Sequence, residues 1–140
     1  MKYIISLKSV SKKDGKFLYT LLSERESLVN ISHKTMPTYD EHLNFINSKP
    51  YSKWYIVKKD TQSIGSIYLS KQNEIGIFIK KEFQKDGLGT ASMKLLMEKN
   101  PRSRYLANVN PKNLKSQKFF KKSGFKLIQN TYELLADFNE

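Results

Sequence analysis

The chain has 140 residues, enough for one domain with a single core of two or three layers. It contains no cysteine and only two histidines, His33 and His42, which excludes disulfides, thiolate metal sites and cysteine nucleophiles and gives no grounds for a metal. Of its 25 basic residues only Arg25, Arg102 and Arg104 are arginine, and the lysines are dispersed; the net charge of +12 reads as solvated surface with an attraction for an anionic ligand, not as a nucleic-acid footprint.

Residues 2–7 form an apolar run that reads as a first strand. It is too short for a signal peptide and nothing approaches a membrane span, so a soluble cytoplasmic protein with no membrane partner is expected. Ser11 or Asp14 can cap a helix with Phe17, Leu18, Leu21 and Leu22 on its apolar face, ending near Glu26. Residues 28–37 read as a long polar loop containing His33, and long loops in compact domains are often functional. Thr38 and Glu41 form a capping box for a short helix that should turn Leu43, Phe45 and Ile46 inward, with His42 structural.

Three strands in meander follow, at residues 54–58, 63–69 and 74–80. Period-2 alternation puts Ile75, Ile77 and Ile79 on one face of the last, and Glu74, Gly76 and Phe78 on the other. Tyr39, Tyr51, Trp54 and Tyr55 could stack on a sugar or base, although Trp54 and Tyr55 begin a strand and are better read as core of a half-buried sheet. The stretch Gln84-Lys85-Asp86-Gly87-Leu88-Gly89-Thr90 then joins the third meander strand to an amphipathic helix ending at Asn100-Pro101. Glycines at a helix mouth permit close approach of a ligand to unpaired amides and to the positive end of the helix dipole, a site for phosphate oxygens. Neither a P-loop lysine nor the third glycine of a dinucleotide fold follows, and Gly-x-Gly at a helix start is also a plain tight turn. Residues 105–109 read as another strand. Asn110-Pro111 reads as the cap and first turn of a helix carrying Leu114, Ser116, Phe119 and Phe120 and ending at Gly124, and residues 125–128 and 131–135 as a closing hairpin.

This order of elements, with Gln84-x-x-Gly87-x-Gly89 after the fourth strand and Asn110-x-x-Asn113-x-x-Ser116-x-x-Phe119-Phe120-x-x-x-Gly124-Phe125 near the end, resembles the GNAT superfamily of acyl-CoA-dependent N-acyltransferases. Residues 30–36 and the Glu41-His42-x-x-Phe45 stretch are similar to the sugar-nucleotide N-acetyltransferase branch that serves pseudaminic acid biosynthesis. The resemblance implies an α+β fold (an α/β sandwich) over residues 1–140 as a single domain. Its mixed central sheet would have six to seven strands, with helices on both faces and a splay between the fourth and fifth strands. It implies acetyl-CoA as co-substrate, its pyrophosphate on the backbone of Gln84, Lys85, Asp86, Gly87, Leu88, Gly89 and Thr90. The pantetheine arm would lie along Ile77, Phe78 and Ile79, with Asn113 and Ser116 facing it unless they merely cap their own helix. The Phe78 amide would stabilise the oxyanion, and Glu74, with His33 as second choice, would act as general base. Where many members of the family carry an acidic tyrosine this chain has Phe120, which has no proton to give, so no acid is assigned.

The expected function is therefore transfer of an acetyl group to a primary amine, with an amino-sugar nucleotide as favoured acceptor. Acetylation of a protein N-terminus or another small amine is the alternative within the chemistry, and a non-catalytic nucleic-acid-binding or regulatory module on the same scaffold is the alternative outside it. The sequence leaves a homodimer open.

Overall fold

Alternating apolar residues build an antiparallel sheet whose two faces bury different helices. The computed structural model describes residues 3–29, 36–84 and 86–136. Four strands, β1 (Ile5–Ser9), β2 (Lys53–Lys59), β3 (Gln62–Leu69) and β4 (Ile75–Ile79), pair in the order β1-β2-β3-β4. On one face Tyr55, Val57, Ile67, Leu69, Ile75 and Ile79 pack with Leu88, Met93 and Leu96 of α3 (Leu88–Lys99) and Phe120 of α4 (Leu114–Lys122). A bulge between Val57 and Lys58 lets Ile64 join the same core. On the other face Ile56 meets Leu18 of α1 (Gly15–Val29) and Ile46 of α2 (Tyr39–Asn47).

Local chemistry sets the helix ends. Ser11 and Asp14 form a capping box over a 3-10 turn, Lys12–Asp14, that leads directly into α1. Thr38 and Glu41 form the expected second box: the Glu41 amide donates to Thr38 Oγ1 at 3.1 Å and the Thr38 amide to Glu41 Oε1 at 2.8 Å. Within α2 the inward residues are His42 and Ile46; Phe45, expected inside, is exposed and rests edge-on against Tyr51 and Trp54. Tyr55 is core, whereas Trp54 is half-buried with its ring 4.9 Å from that of Tyr51.

The sheet is smaller than expected. Among the described residues it has four strands, not six to seven, and all its ladders are antiparallel. The stretch 105–109 touches it through one parallel bridge between Glu74 and Leu106, in which the Ile75 amide donates to the Leu106 carbonyl at 2.7 Å and the Leu106 amide to the Asn73 carbonyl at 2.9 Å. Residues 125–136 carry no strand. Apolar alternation marks chain that can be extended, whereas a ladder also needs a partner edge within reach. The Asn110-Pro111 pair is not the cap of α4 either. Asn110 Oδ1 accepts from the Lys112 amide at 2.8 Å in a local turn, and Asn113 caps the helix by accepting from the Ser116 amide at 3.1 Å. Only Asn113 stands three residues before an amide that needs an acceptor.

His42 is 6% exposed, its Nε2 has no partner among the described residues, and its ring packs against Tyr19. Burial lowers its pKa from the ordinary 6.5. The unfolded chain therefore takes up a proton near pH 6.5 that the folded chain refuses until lower pH. Stability from this residue is complete above that pH and falls as the solution is acidified through it. Denaturant unfolding between pH 7.5 and 5 should show this loss, and His42→Phe should flatten it; an equally steep loss in the variant would assign the effect to other groups.

Candidate active site

The mouth of α3 is shaped by two glycines with different duties. Gly87 is the N-cap residue at φ 73°, a left-handed conformation that a side chain disfavours by about 1–2 kcal/mol. Gly87 is exposed, and a Cβ there would meet no atom of the protein within 4 Å. Gly89 instead sits where three elements converge: a Cβ on it would lie 3.3 Å from the Phe119 ring and 3.9 Å from Ile77 Cδ1. Leu88 between them is fully buried and pins the helix start to the core. The first intrahelical bond runs from the Ala91 amide to the Gly87 carbonyl, so the amides of Leu88, Gly89 and Thr90 open outward. Asp86 and Thr90 are exposed beside them, and Lys85 lies outside the described residues.

Gln84 belongs to this site in a way that the sequence did not disclose. Its Nε2 donates to the Ile79 carbonyl at 2.8 Å, and its Oε1 accepts from Lys115 Nζ at 3.0 Å. Gln84, three positions before Gly87, thus ties the end of β4 to a lysine of α4. Lys115 was missed because only folding brings it across 31 positions to Gln84.

Along β4 the backbone alternates between two sides. The Ser70 amide donates to the Glu74 carbonyl at 2.8 Å and the Lys80 amide to the Ile64 carbonyl at 2.8 Å, so even-numbered residues address β3. Odd-numbered residues address the other edge, where Ile75 meets Leu106 and the Ile79 carbonyl meets Gln84. The expected oxyanion donor is thereby corrected. Phe78 pairs with Ser66, its amide faces β3 and its side chain is buried, whereas the amides of Ile77 and Ile79 lie on the open edge.

Glu74 stands where this edge closes. Its Oε1 accepts from the Ser70 hydroxyl at 3.1 Å and its Oε2 from Asn108 Nδ2 at 3.0 Å, while its amide donates to Ser70 Oγ at 3.0 Å. The carboxylate therefore clasps β4 to the 105–109 stretch and is held in one orientation, with lone pairs left for a further donor. His33 lies outside the described residues. Asn113 spends its side-chain oxygen on the cap of α4, and Ser116 is half-buried. Phe120 is buried between Phe119 and Phe125, each ring centroid 5.1 Å away, so the position without a phenol is a core position.

On the α1–α2 face the Tyr68 ring lies over Gly76, so closely that a Cβ there would enter the ring. Tyr51 stacks on Tyr68 at 3.7 Å and 5°. Burial, then the neighbouring Tyr68, raises the Tyr51 pKa, against a smaller opposing effect of Arg25. The Tyr51 phenol stays protonated at neutral pH.

A sheet that parts beside β4, directly before a glycine-bearing helix mouth, is the arrangement of an acyl-CoA-dependent acyltransferase. The acetyltransferase (GNAT) domain family matches residues 5–126, and the chain belongs to that family: it is an acyl-CoA-dependent N-acetyltransferase. No curated protein matches the sequence. Among solved structures, a domain from Methanocaldococcus jannaschii DSM 2661 is similar at 21% identity and a TM-score of 0.83, over 94% of each chain. An acetyltransferase from Salmonella typhimurium that modifies the N-terminal serine of ribosomal protein L7/L12 is similar at 16% identity and 0.67, over 84% of this chain and 78% of that one. The microcin C7 self-immunity acetyltransferase, solved with acetyl-CoA and AMP, is similar at 19% identity and 0.69, over 94% and 85%. At such identities the structural likeness establishes the fold.

Gly87→Leu should cost about 1–2 kcal/mol of stability, from the left-handed backbone alone. In calorimetric titration it should also weaken acetyl-CoA binding by about tenfold or more, since the side chain stands in front of the outward amides. Unchanged affinity in a folded variant would remove the helix mouth from the site.

Proposed function

We propose that the protein acetylates a primary amine with acetyl-CoA bound along the open edge of β4. The observation that carries this reading is that, among the described residues, β4 is bridged on that side at Leu106 alone, which leaves the backbone of Ile77 and Ile79 unladdered directly before the α3 mouth. The outward amides of Leu88, Gly89 and Thr90 hold the pyrophosphate, with Lys115 adding charge. The open edge from Ile77 to Ile79 runs about 7 Å and leads directly to the helix mouth, so the pantetheine arm lies along it between thioester and pyrophosphate.

The Ile77 amide donates to the thioester oxygen as it becomes an oxyanion. Glu74 takes the proton of the attacking ammonium, directly or through water, from the orientation that Ser70 and Asn108 give it. The amine lone pair forms the C–N bond, the C–S bond breaks with its electron pair leaving on the sulfur, and the second proton that the nitrogen sheds passes to water or to the departing sulfur. Phe120 cannot protonate that thiolate, which departs as the anion or takes a proton from water.

The acceptor approaches from the α1–α2 face, where Tyr68 covers Gly76. The charge of +12 favours neutral or anionic acceptors and disfavours polycations. The N-terminus of a protein is supported by the likeness to the L7/L12 acetyltransferase. An amino-sugar nucleotide rests on the resemblance of residues 30–36, of which 30–35 lie outside the described residues, and of Glu41-His42-x-x-Phe45, and belongs in the same acceptor screen.

Glu74→Gln should lower kcat/KM by about 10²-fold or more while acetyl-CoA affinity holds. Asn108→Ala, which loosens the clasp and keeps the carboxylate, should cost less than about tenfold. Equal losses in the two variants would make Glu74 a brace and not the base. Salt-steep binding of duplex DNA with no acetyl transfer to any amine would favour the non-catalytic alternative.

A further inference from the structure

Arginine is scarce in this chain, and one of the three stands apart. Arg102 and Arg104 are exposed, whereas Arg25 is half-buried. It continues the buried stripe of α1. Leu18 and Leu21, each 4% exposed, precede it by seven and four residues, the spacing that returns to one helix face. That face packs on the sheet, where Leu18 meets Ile56. Register carries the same sheet face from Ile56 to Ser66 and Phe78, and one pleat away from Trp54 to Tyr68 and Gly76. The end of the helix is fixed beside the end of β4, because the Lys81 amide donates to Glu24 Oε1 at 2.6 Å.

A guanidinium is costly to bury without an anion. Among the described residues the ion pairs are Lys8 with Asp14 and Lys80 with Glu82, and no carboxylate answers Arg25. Glu24 is committed to the Lys81 amide, and Glu74 to Ser70 and Asn108. What lies near Arg25 is aromatic. Its charge is felt at the Tyr51 phenol, where it opposes the larger effects of burial and of Tyr68. The Tyr51 ring stacks on Tyr68 at 3.7 Å and 5°, and Tyr68 lies over Gly76. Glu74 is two residues from Gly76, about 7 Å along the chain on the same face. A cation without an anion, a two-ring shelf and the candidate base therefore share one side of the sheet.

We propose that Arg25 receives an anionic group of the acceptor, so that the amine acetylated here carries a carboxylate or phosphate apart from its nitrogen. The inference rests on the reading of Glu74 and the β4 edge as the site of transfer. The amine enters at Glu74 while its anionic end rests on Arg25, and the Tyr51–Tyr68 shelf lies along the link between them. Arginine suits this duty because its planar fork takes a carboxylate or a phosphate in two parallel bonds, which the lysines elsewhere on the surface do not. Holding the far end of the acceptor also fixes the direction from which its nitrogen meets the thioester.

The test measures kcat/KM by thiol release from acetyl-CoA for two matched pairs of amines. One pair is glucosamine and glucosamine 6-phosphate. The other is two C-terminally amidated tripeptides, serine followed by two alanines or by two aspartates. The wild-type protein should prefer the anionic member of at least one pair by about tenfold or more, and the pair that shows it separates phosphate from carboxylate recognition. Arg25→Gln should erase that preference by raising KM for the anionic member far more than for the neutral one, and Arg25→Lys should restore part of it. Equal use of both members by the wild type overturns the proposal and leaves the acetyltransferase reading standing. A preference that survives Arg25→Gln, or losses equal for neutral and anionic amines, also overturns it. Should no amine be acetylated, calorimetric titration of glucosamine 6-phosphate and the aspartyl peptide decides without turnover. Wild-type binding that Arg25→Gln weakens about tenfold or more supports the anion site and places the failure on the transfer reading, whereas no binding, or binding equal in the two, overturns the anion site.

Discussion

The geometry of this protein depends on how far one sheet edge is allowed to close. A β-strand with a bare edge normally recruits another strand along its length, because every unpaired amide and carbonyl there is an unmet hydrogen bond. Among the described residues the far end of the β4 edge is taken by the Gln84 side chain, and the edge is bridged by other chain once, at Leu106. Glu74 secures that contact by receiving the Asn108 side chain on one carboxylate oxygen and the Ser70 hydroxyl on the other. Beyond it the Pro111 nitrogen could not extend a ladder in any case, since it has no proton.

Each feature of the site follows from the opening. The odd-numbered residues of β4 turn their backbone into it, and Gln84 occupies its far end by taking the Ile79 carbonyl and holding Lys115. Gly89 lets α3, α4 and β4 crowd together without a side chain between them, with the Phe119 ring and Ile77 against it and Leu88 fixing the helix start in the core. The opposite face of β4 is closed by Tyr68 over Gly76. On the proposed reading the acyl donor lies along the open edge of β4, where a reaction whose rate comes from placing an amine against a thioester needs it held in register.

Much of this was legible in the sequence because it is local. Thr38 and Glu41 stand three apart as a capping box requires, the period-2 pattern of residues 75–79 assigns their faces, and Gly87 precedes a run with helical spacing. The failures are all of longer range or of pairing. Periodicity does not separate a laddered strand from an extended stretch, so it reads 105–109, 125–128 and 131–135 as strands where the structure has none. The Phe78 amide was placed on the open edge because side-chain parity does not reveal which edge a backbone amide addresses; the partners of Glu74 and Lys80 decide that. His42 and not Phe45 turned inward, since α1 determines which side of α2 is covered. Lys115 beside Gln84 left no trace in the sequence at all.

The most direct test of the open edge is an amide nuclear magnetic resonance titration of the folded protein with acetyl-CoA. The amides of Ile77 and Ile79 on β4, and those of Leu88, Gly89 and Thr90 at the helix mouth, should shift together at one saturating stoichiometry, while β1 amides stay in place. Binding that perturbs β1 and leaves the odd-numbered β4 amides untouched would contradict the account, because the cofactor would then lie elsewhere and the parted edge would have no part in holding it.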